Sequence, residues 1–172
     1  MKRFLRQSGR FKGRVTAAGL LAAGICAGIG CAASGPPLDV VDYVDLERYA
    51  GLWYEIARYP AGFQEGCVGV TAEYRLREDG RVDVINRCLE ESFDGPERSV
   101  EGVARVVDEQ TNARLKVTFF WPFEGDYYVI DLDEDYQWAV VGEPSREYLW
   151  ILSRTPTMDE DLYQTLLSRL PE

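Results

Sequence analysis

The sequence predicts an all-β domain: an antiparallel meander of eight strands, hence a barrel or a sandwich, with one C-terminal helix packed outside it. Three observations predict this. Between residues 53 and 153 the chain breaks into eight short segments in which apolar and polar residues alternate, the period-two pattern of a half-buried strand. The segments are separated by brief turn-rich stretches such as REDG, DGPE, WPFEGD and EPSRE, which suit antiparallel neighbours and are too short for crossover helices. Only one long stretch has helical spacing, and it follows the last strand.

In chain order, LERYAG (46–51) allows one short turn of helix. The alternation then predicts strands at 53–59, 67–76, 82–88, 99–107, 114–120, 127–132, 136–142 and 148–153. The final segment, 157–170, predicts a helix. Thr157 is its expected N-cap, Glu160 completes a capping box, and Leu162, Leu166 and Leu170 form a stripe with Tyr163 and Leu167 beside it. A helix after eight mutually covering strands belongs on the outside of the sheet.

The first thirty residues read as a signal. Residues 1–14 hold Lys2, Arg3, Arg6, Arg10, Lys12 and Arg14 and no acid, and residues 15–30 are apolar and rich in small side chains. That apolar run has sixteen residues and four glycines, short for a span of a ~30 Å hydrocarbon core. It ends GIG before Cys31, the pattern of a bacterial lipoprotein signal cleaved before a lipid-bearing cysteine; Gly28 departs from the leucine usual there. Residues 31–44, with Ser, Gly and two prolines, predict a tether, and residues 45–172 the barrel domain with its helix.

The leader carries six of the nineteen Lys and Arg and none of the twenty-nine Asp and Glu, so the chain without it moves from a formal charge of −10 to −16. Such a surface repels nucleic acid and has no general attraction for anionic headgroups. The chain has no histidine. This excludes Ser-His-Asp and Cys-His catalytic units, zinc sites built on histidine and His-ligated haem. No catalytic residue, metal site or cofactor is expected. Cys67 and Cys88 are the cysteines left in the domain, and in an exported protein they predict one disulfide, with two buried thiols as the alternative. Placing Ala72 opposite Val84 across the REDG turn sets Cys88 opposite Val68, so the bond requires a bulge or a bend at the strand end.

The strand phase indicates what the barrel encloses. One alternate set holds Ala72 and Tyr74, Val84 and Asn86, Val100, Gly102 and Ala104, Val117 and Phe119, Tyr127 and Val129, and Trp150 and Leu152. Many opposite positions are charged. The inward set mixes small residues, polar-tipped aromatics and an amide, where a filled core would favour Leu, Ile and Val. An eight-stranded barrel has room for side chains or one small ligand, and both a pocket and a packed core are consistent with this set. Glu55 shares the phase of Trp53, so it faces inward and requires a partner. Phe63 and Phe123 fall in loops at the same end of the strand meander, as lids, membrane-touching tips or rim packing.

The chain resembles the lipocalins. GLW at 51–53 matches the family's Gly-x-Trp, carried by Gly51 and Trp53 at the start of the first strand. Asp133 matches the acidic residue of the second motif, between the sixth and seventh strands. Arg154, in YLWILSRTP, matches the arginine that lies across the tryptophan ring. GLWYEIARYP, TAEYRLREDGRVDVINRC and YLWILSRTP are similar to bacterial outer-membrane lipocalins and to apolipoprotein D. The likeness covers about residues 40–168.

The resemblance implies an eight-stranded antiparallel up-and-down barrel, closed below by the N-terminal turn and open above, with Ala72, Tyr74, Val84, Asn86, Val117, Phe119, Tyr127 and Trp150 at ligand-binding positions. It implies a membrane-anchored protein of the outer membrane, lipidated at Cys31, a monomer or weak dimer that binds a fatty acid or lysophospholipid reversibly for storage or transport in the envelope. The rival classes are a lipocalin-like enzyme acting on a lipid or isoprenoid through Glu55 and Tyr127, and a structural envelope protein with a filled barrel. Two departures stand out. Bacterial relatives continue past the helix where this chain stops at Pro171-Glu172, and Glu124 stands where many have a tyrosine.

Overall fold

The computed structural model describes residues 37–170 and the two-residue strand Leu5–Arg6. The rest of the predicted signal, Cys31 and the start of the tether lie outside the described residues. Leu5 and Arg6 pair with Arg58 and Ala57.

The domain begins with helix α1, Leu46–Tyr49, one turn capped by Asp45. The Asp45 carboxylate accepts from the backbone N–H groups of Glu47 and Arg48 at 3.0 and 3.2 Å. Eight strands follow: β1 Gly51–Arg58, β2 Cys67–Leu76, β3 Val82–Glu90, β4 Glu97–Val106, β5 Arg114–Phe120, β6 Phe123–Leu132, β7 Trp138–Gly142 and β8 Leu149–Ser153. Each pairs antiparallel with the next, and β8 pairs back onto β1, so the barrel closes and no long edge is left. The predicted fold class holds. The β2–β3, β4–β5 and β6–β7 turns lie with α1 at one end, the floor. The four remaining connections surround the other end, the mouth.

Several boundaries differ from the sequence reading. β1 begins at Gly51. β6 begins at Phe123, because the WPFEGD turn contracts to Trp121-Pro122 with Phe120 opposite Phe123. β7 begins at Trp138, since Tyr136 takes a left-handed turn conformation with φ 60°. Helix α2 is Glu160–Arg169, and its N-cap is Asp159, not Thr157. Asp159 accepts from Asp161 and Leu162 N–H at 3.1 Å, while the Thr157 carbonyl is turned back to accept from the Thr155 hydroxyl.

Two apolar layers result. The barrel interior is one, centred on Trp53, Tyr74, Val84, Val117, Val129 and Leu152. The other lies between the wall and α2, where Ile56, Ala57, Val140, Leu149 and Ile151 meet Tyr163 and Leu166. Leu162, Leu167 and Leu170 pack at its margin, so the predicted stripe is the buried face.

The β2–β3 register also departs from expectation. Ala72 stands opposite Asn86, and Tyr74 opposite Val84. A bulge between Val68 and Thr71 supplies the extra length the cysteines needed. Cys67 and Cys88 form a disulfide with Cα atoms 5.4 Å apart, tying β2 to β3 at the mouth.

Candidate functional site

The floor is built around Trp53, which is fully buried. Its indole N–H donates to the Tyr49 carbonyl at 2.8 Å. The Arg154 guanidinium lies over the ring, 3.8 Å from its centroid, and donates to the carbonyls of Arg48, Tyr49, Leu52 and Tyr136. One cation therefore covers an aromatic face and caps the last carbonyls of α1. Gly51 beside it has a φ of +95°, a left-handed backbone conformation that favours glycine. Asp133 organises the adjacent turn by accepting from the N–H groups of Asp135 and Gln137.

Above the floor stands a cluster of phenols. The Tyr127 hydroxyl lies 2.7 Å from that of Tyr49 and 2.9 Å from that of Tyr74. Burial pushes all three phenols up, Tyr74 to about 12. Three hydroxyls hold three protons and share two hydrogen bonds, so one donor is left to face a further acceptor. Beside them is a cavity of about 20 Å³, lined mainly by Val44, Tyr74, Val82, Ala104, Leu115 and Val129.

Nearer the mouth the interior carries an ion pair. A bulge between Glu55 and Ala57 turns Ile56 and Ala57 toward α2 and returns Arg58 to the inside, opposite Trp150. Glu55 and Arg58 are 7 % and 5 % exposed, and their side chains pair at 2.5 Å. The other Glu55 oxygen accepts from the Gln64 amide at 2.8 Å, and the Gln64 side-chain carbonyl accepts from the Trp150 indole at 3.0 Å. Gln64 comes from the mouth loop, from a 3₁₀ turn at Gly62–Gln64, so its side chain is a strut from loop to interior.

The eight predicted pocket positions reach the inner wall. Ala72, Tyr74, Val84 and Val117 belong to the interior core, with Phe119, Tyr127 and Trp150 packed against it. Asn86 lies in register between Ala72 and Val100, and its Oδ1 is buried with no hydrogen-bond partner. Gly102 lets two strands approach closely, since a Cβ there would fall 2.7 Å from Phe119 and from the Thr118 carbonyl. Sequence reasoning missed Arg58, Gln64 and Tyr49. Strict alternation puts Arg58 outside, and only the bulge brings it in. Gln64 and Tyr49 lie in a loop and a one-turn helix, where periodicity carries no signal.

A family model described as a lipocalin-like domain matches residues 44–172. The chain is a lipocalin. It is 45 % identical over 146 residues to the outer membrane lipoprotein Blc of Escherichia coli strain K12, covering 81 % of this chain and 80 % of that one. The Vibrio cholerae protein of the same name is 42 % identical over 144 residues, covering 83 % and 84 %. Bovine apolipoprotein D is 34 % identical over 128 residues, covering 70 % and 65 %. Among solved structures, insecticyanin from the tobacco hornworm Manduca sexta superposes with a TM-score of 0.62 at 19 % identity, over 77 % of this chain and 75 % of that one, a likeness of fold alone. In this lipocalin Arg154 ties Trp53 to the carbonyls of Arg48, Tyr49 and Leu52 at the floor, and the chemistry open to the interior is that of hydrogen-bonding groups in an apolar barrel. Glu55 and Tyr127, the candidate acid–base pair, are both engaged: the carboxylate by Arg58 and Gln64, the phenol by two others.

Proposed function

We propose that this lipocalin binds a single-chain lipid, a fatty acid or lysophospholipid, reversibly in its barrel and stores or carries it in the cell envelope. The chain is held there by lipid on Cys31. The relatives named outer membrane lipoproteins support the location. Among the described residues no helix is long and apolar enough to cross a membrane. The reading is one of binding rather than catalysis, because Glu55 and Tyr127 are tied in hydrogen bonds.

The observation that carries the proposal is Asn86. A barrel packed only for stability gains nothing from a buried, unpartnered amide oxygen, which costs about 1–3 kcal/mol. A polar group on an otherwise apolar ligand repays that cost. The floor cavity of about 20 Å³ holds no more than a water-sized guest, whereas ligand pockets are roughly 300 Å³ or larger. A lipid therefore enters by displacing side chains, and Gln64 is the natural one to yield, because it hangs from a loop. A buried chain of about fourteen methylenes contributes roughly 11 kcal/mol gross, against an association cost on the order of 4–15 kcal/mol. Micromolar or weaker affinity follows.

Mass spectrometry of lipids co-purifying with the mature protein tests this directly, with a stoichiometric single-chain lipid expected. Trp150→Ala should weaken binding of a fluorescent fatty acid without unfolding the protein, and unchanged affinity counts against this pocket. Absence of any bound lipid, together with no fatty-acid displacement, favours the filled barrel instead.

A further inference from the structure

The mouth and the floor differ in what they expose. Phe120, Trp121 and Phe123, at the tip of the β5–β6 hairpin, are 72 %, 88 % and 76 % exposed. Phe63 in the β1–β2 loop and Phe93 in the β3–β4 loop are 63 % and 59 % exposed. Every exposed Phe and Trp among the described residues thus lies at the mouth. The exposed apolar residues at or near the floor are Tyr43, Leu52, Leu76 and Val107. Large apolar rings held in water are unfavourable, and a cluster of them marks an interaction site.

We propose that the mouth is a membrane-docking face, with Phe120, Trp121 and Phe123 inserted at the interface of a zwitterionic bilayer. Two observations select this occupant. The first is charge. The tip itself is uncharged, and the loops around it carry Glu65, Glu91, Asp94, Glu143 and Glu147 against Arg146. The carboxylate that adjoins the tip in sequence, Glu124, is paired with Arg105 at 2.9 Å. An acidic rim disfavours an anionic surface, while tryptophan and phenylalanine suit the boundary between headgroups and acyl chains. The second is the tether. Leu38 is buried against Gly142, at the mouthward end of β7. Seven peptide steps separate it from Cys31, a reach of up to about 25 Å. A lipid there lets the mouth lie on the same membrane that holds the anchor. Lipid then passes between bilayer and barrel without crossing water, a consequence that rests on the carrier reading above.

The test uses the full lipoprotein reconstituted in phosphatidylcholine vesicles whose acyl chains carry bromine. The Trp121 signal is the difference between the parent and Trp121→Phe. Its quenching by brominated lipid and a blue-shifted emission are expected, and both should fall when anionic lipid is added. Phe120→Ser with Phe123→Ser should reduce the quenching about fivefold or more. Trp121 emission that stays water-like and unquenched overturns the proposal, as does quenching unchanged in the double variant. Transfer of a fluorescent fatty acid from vesicles separates the two readings. With Phe120, Trp121 and Phe123 all changed to Ser, slower transfer at unchanged affinity in solution supports docking as a transfer step. A parent that binds no fatty acid yet shows quenched Trp121 removes the carrier reading and leaves docking standing.

Discussion

At the scale of single residues, the interior contains a charged pair where a barrel of this size would be expected to hold apolar side chains. Glu55 and Arg58 are both buried, and each satisfies the other. Removing one partner leaves an uncompensated buried charge, which typically costs about 3–5 kcal/mol, while replacing both by apolar residues is often close to neutral. Glu55→Leu and Arg58→Leu should therefore each lower stability strongly, and the double variant should recover most of the loss. Urea denaturation of the four proteins measures the coupling. Strictly additive effects would mean that the pair is no more than two independent groups. The Arg58 Nε has no hydrogen-bond partner, so the pair is held at some cost. Through Glu55 the pair also fixes Gln64, which in turn holds the Trp150 indole.

At the scale of elements, the mouth is braced on one side only. The Cys67–Cys88 disulfide joins β2 to β3 at the point where the Val68–Thr71 bulge interrupts their ladder. It closes a loop with a sequence separation of 21 residues. In the chain-entropy picture such a bond contributes about 3 kcal/mol. Cys67→Ala with Cys88→Ala should lower stability by about that amount, read from the urea midpoint. A midpoint unchanged in the double variant would show that the bulged rim holds without the bond. The β5–β6 hairpin opposite has no such brace and carries the exposed aromatic tip, so rigidity and membrane-seeking surface are assigned to different strands of one rim.

At the scale of the molecule, the three phenols near the floor link folding to pH. Burial is the largest cause of each upward shift. An unfolded tyrosine ionises near pH 10. Between there and about 12 the unfolded Tyr74 has lost its proton while the folded one keeps it, so the folded state binds more protons and stability falls as pH rises. The contribution is whole below pH ~10 and amounts to about 2–3 kcal/mol for Tyr74 once its folded pKa is passed. Urea midpoints should decline across that window, and Tyr74→Phe should flatten the decline. A parent whose midpoint is constant from pH 9 to 12 would contradict the burial of the cluster.

Length, alternation and turn composition determined the eight-strand order, the inward set from Ala72 to Trp150, the helix outside and the pairing of the two cysteines, because each is encoded by periodicity or by residue type. The motif residues Gly51, Trp53, Asp133 and Arg154 were legible through the resemblance to the lipocalin motifs, which sit at strand ends. Tertiary structure alone decided the β2–β3 register and the fate of Glu55. A one-residue bulge in β1 reverses the phase of everything after it, and no local signal in EIARYP announces it. That bulge turns Arg58 inward to meet Glu55. Closure of β8 onto β1 then brings Trp150 beside a glutamine from the first mouth loop, 86 residues away in sequence. Periodicity reports which face a residue takes within its own strand. Which groups meet across the barrel is set by shear and bulges, which belong to the closed sheet as a whole.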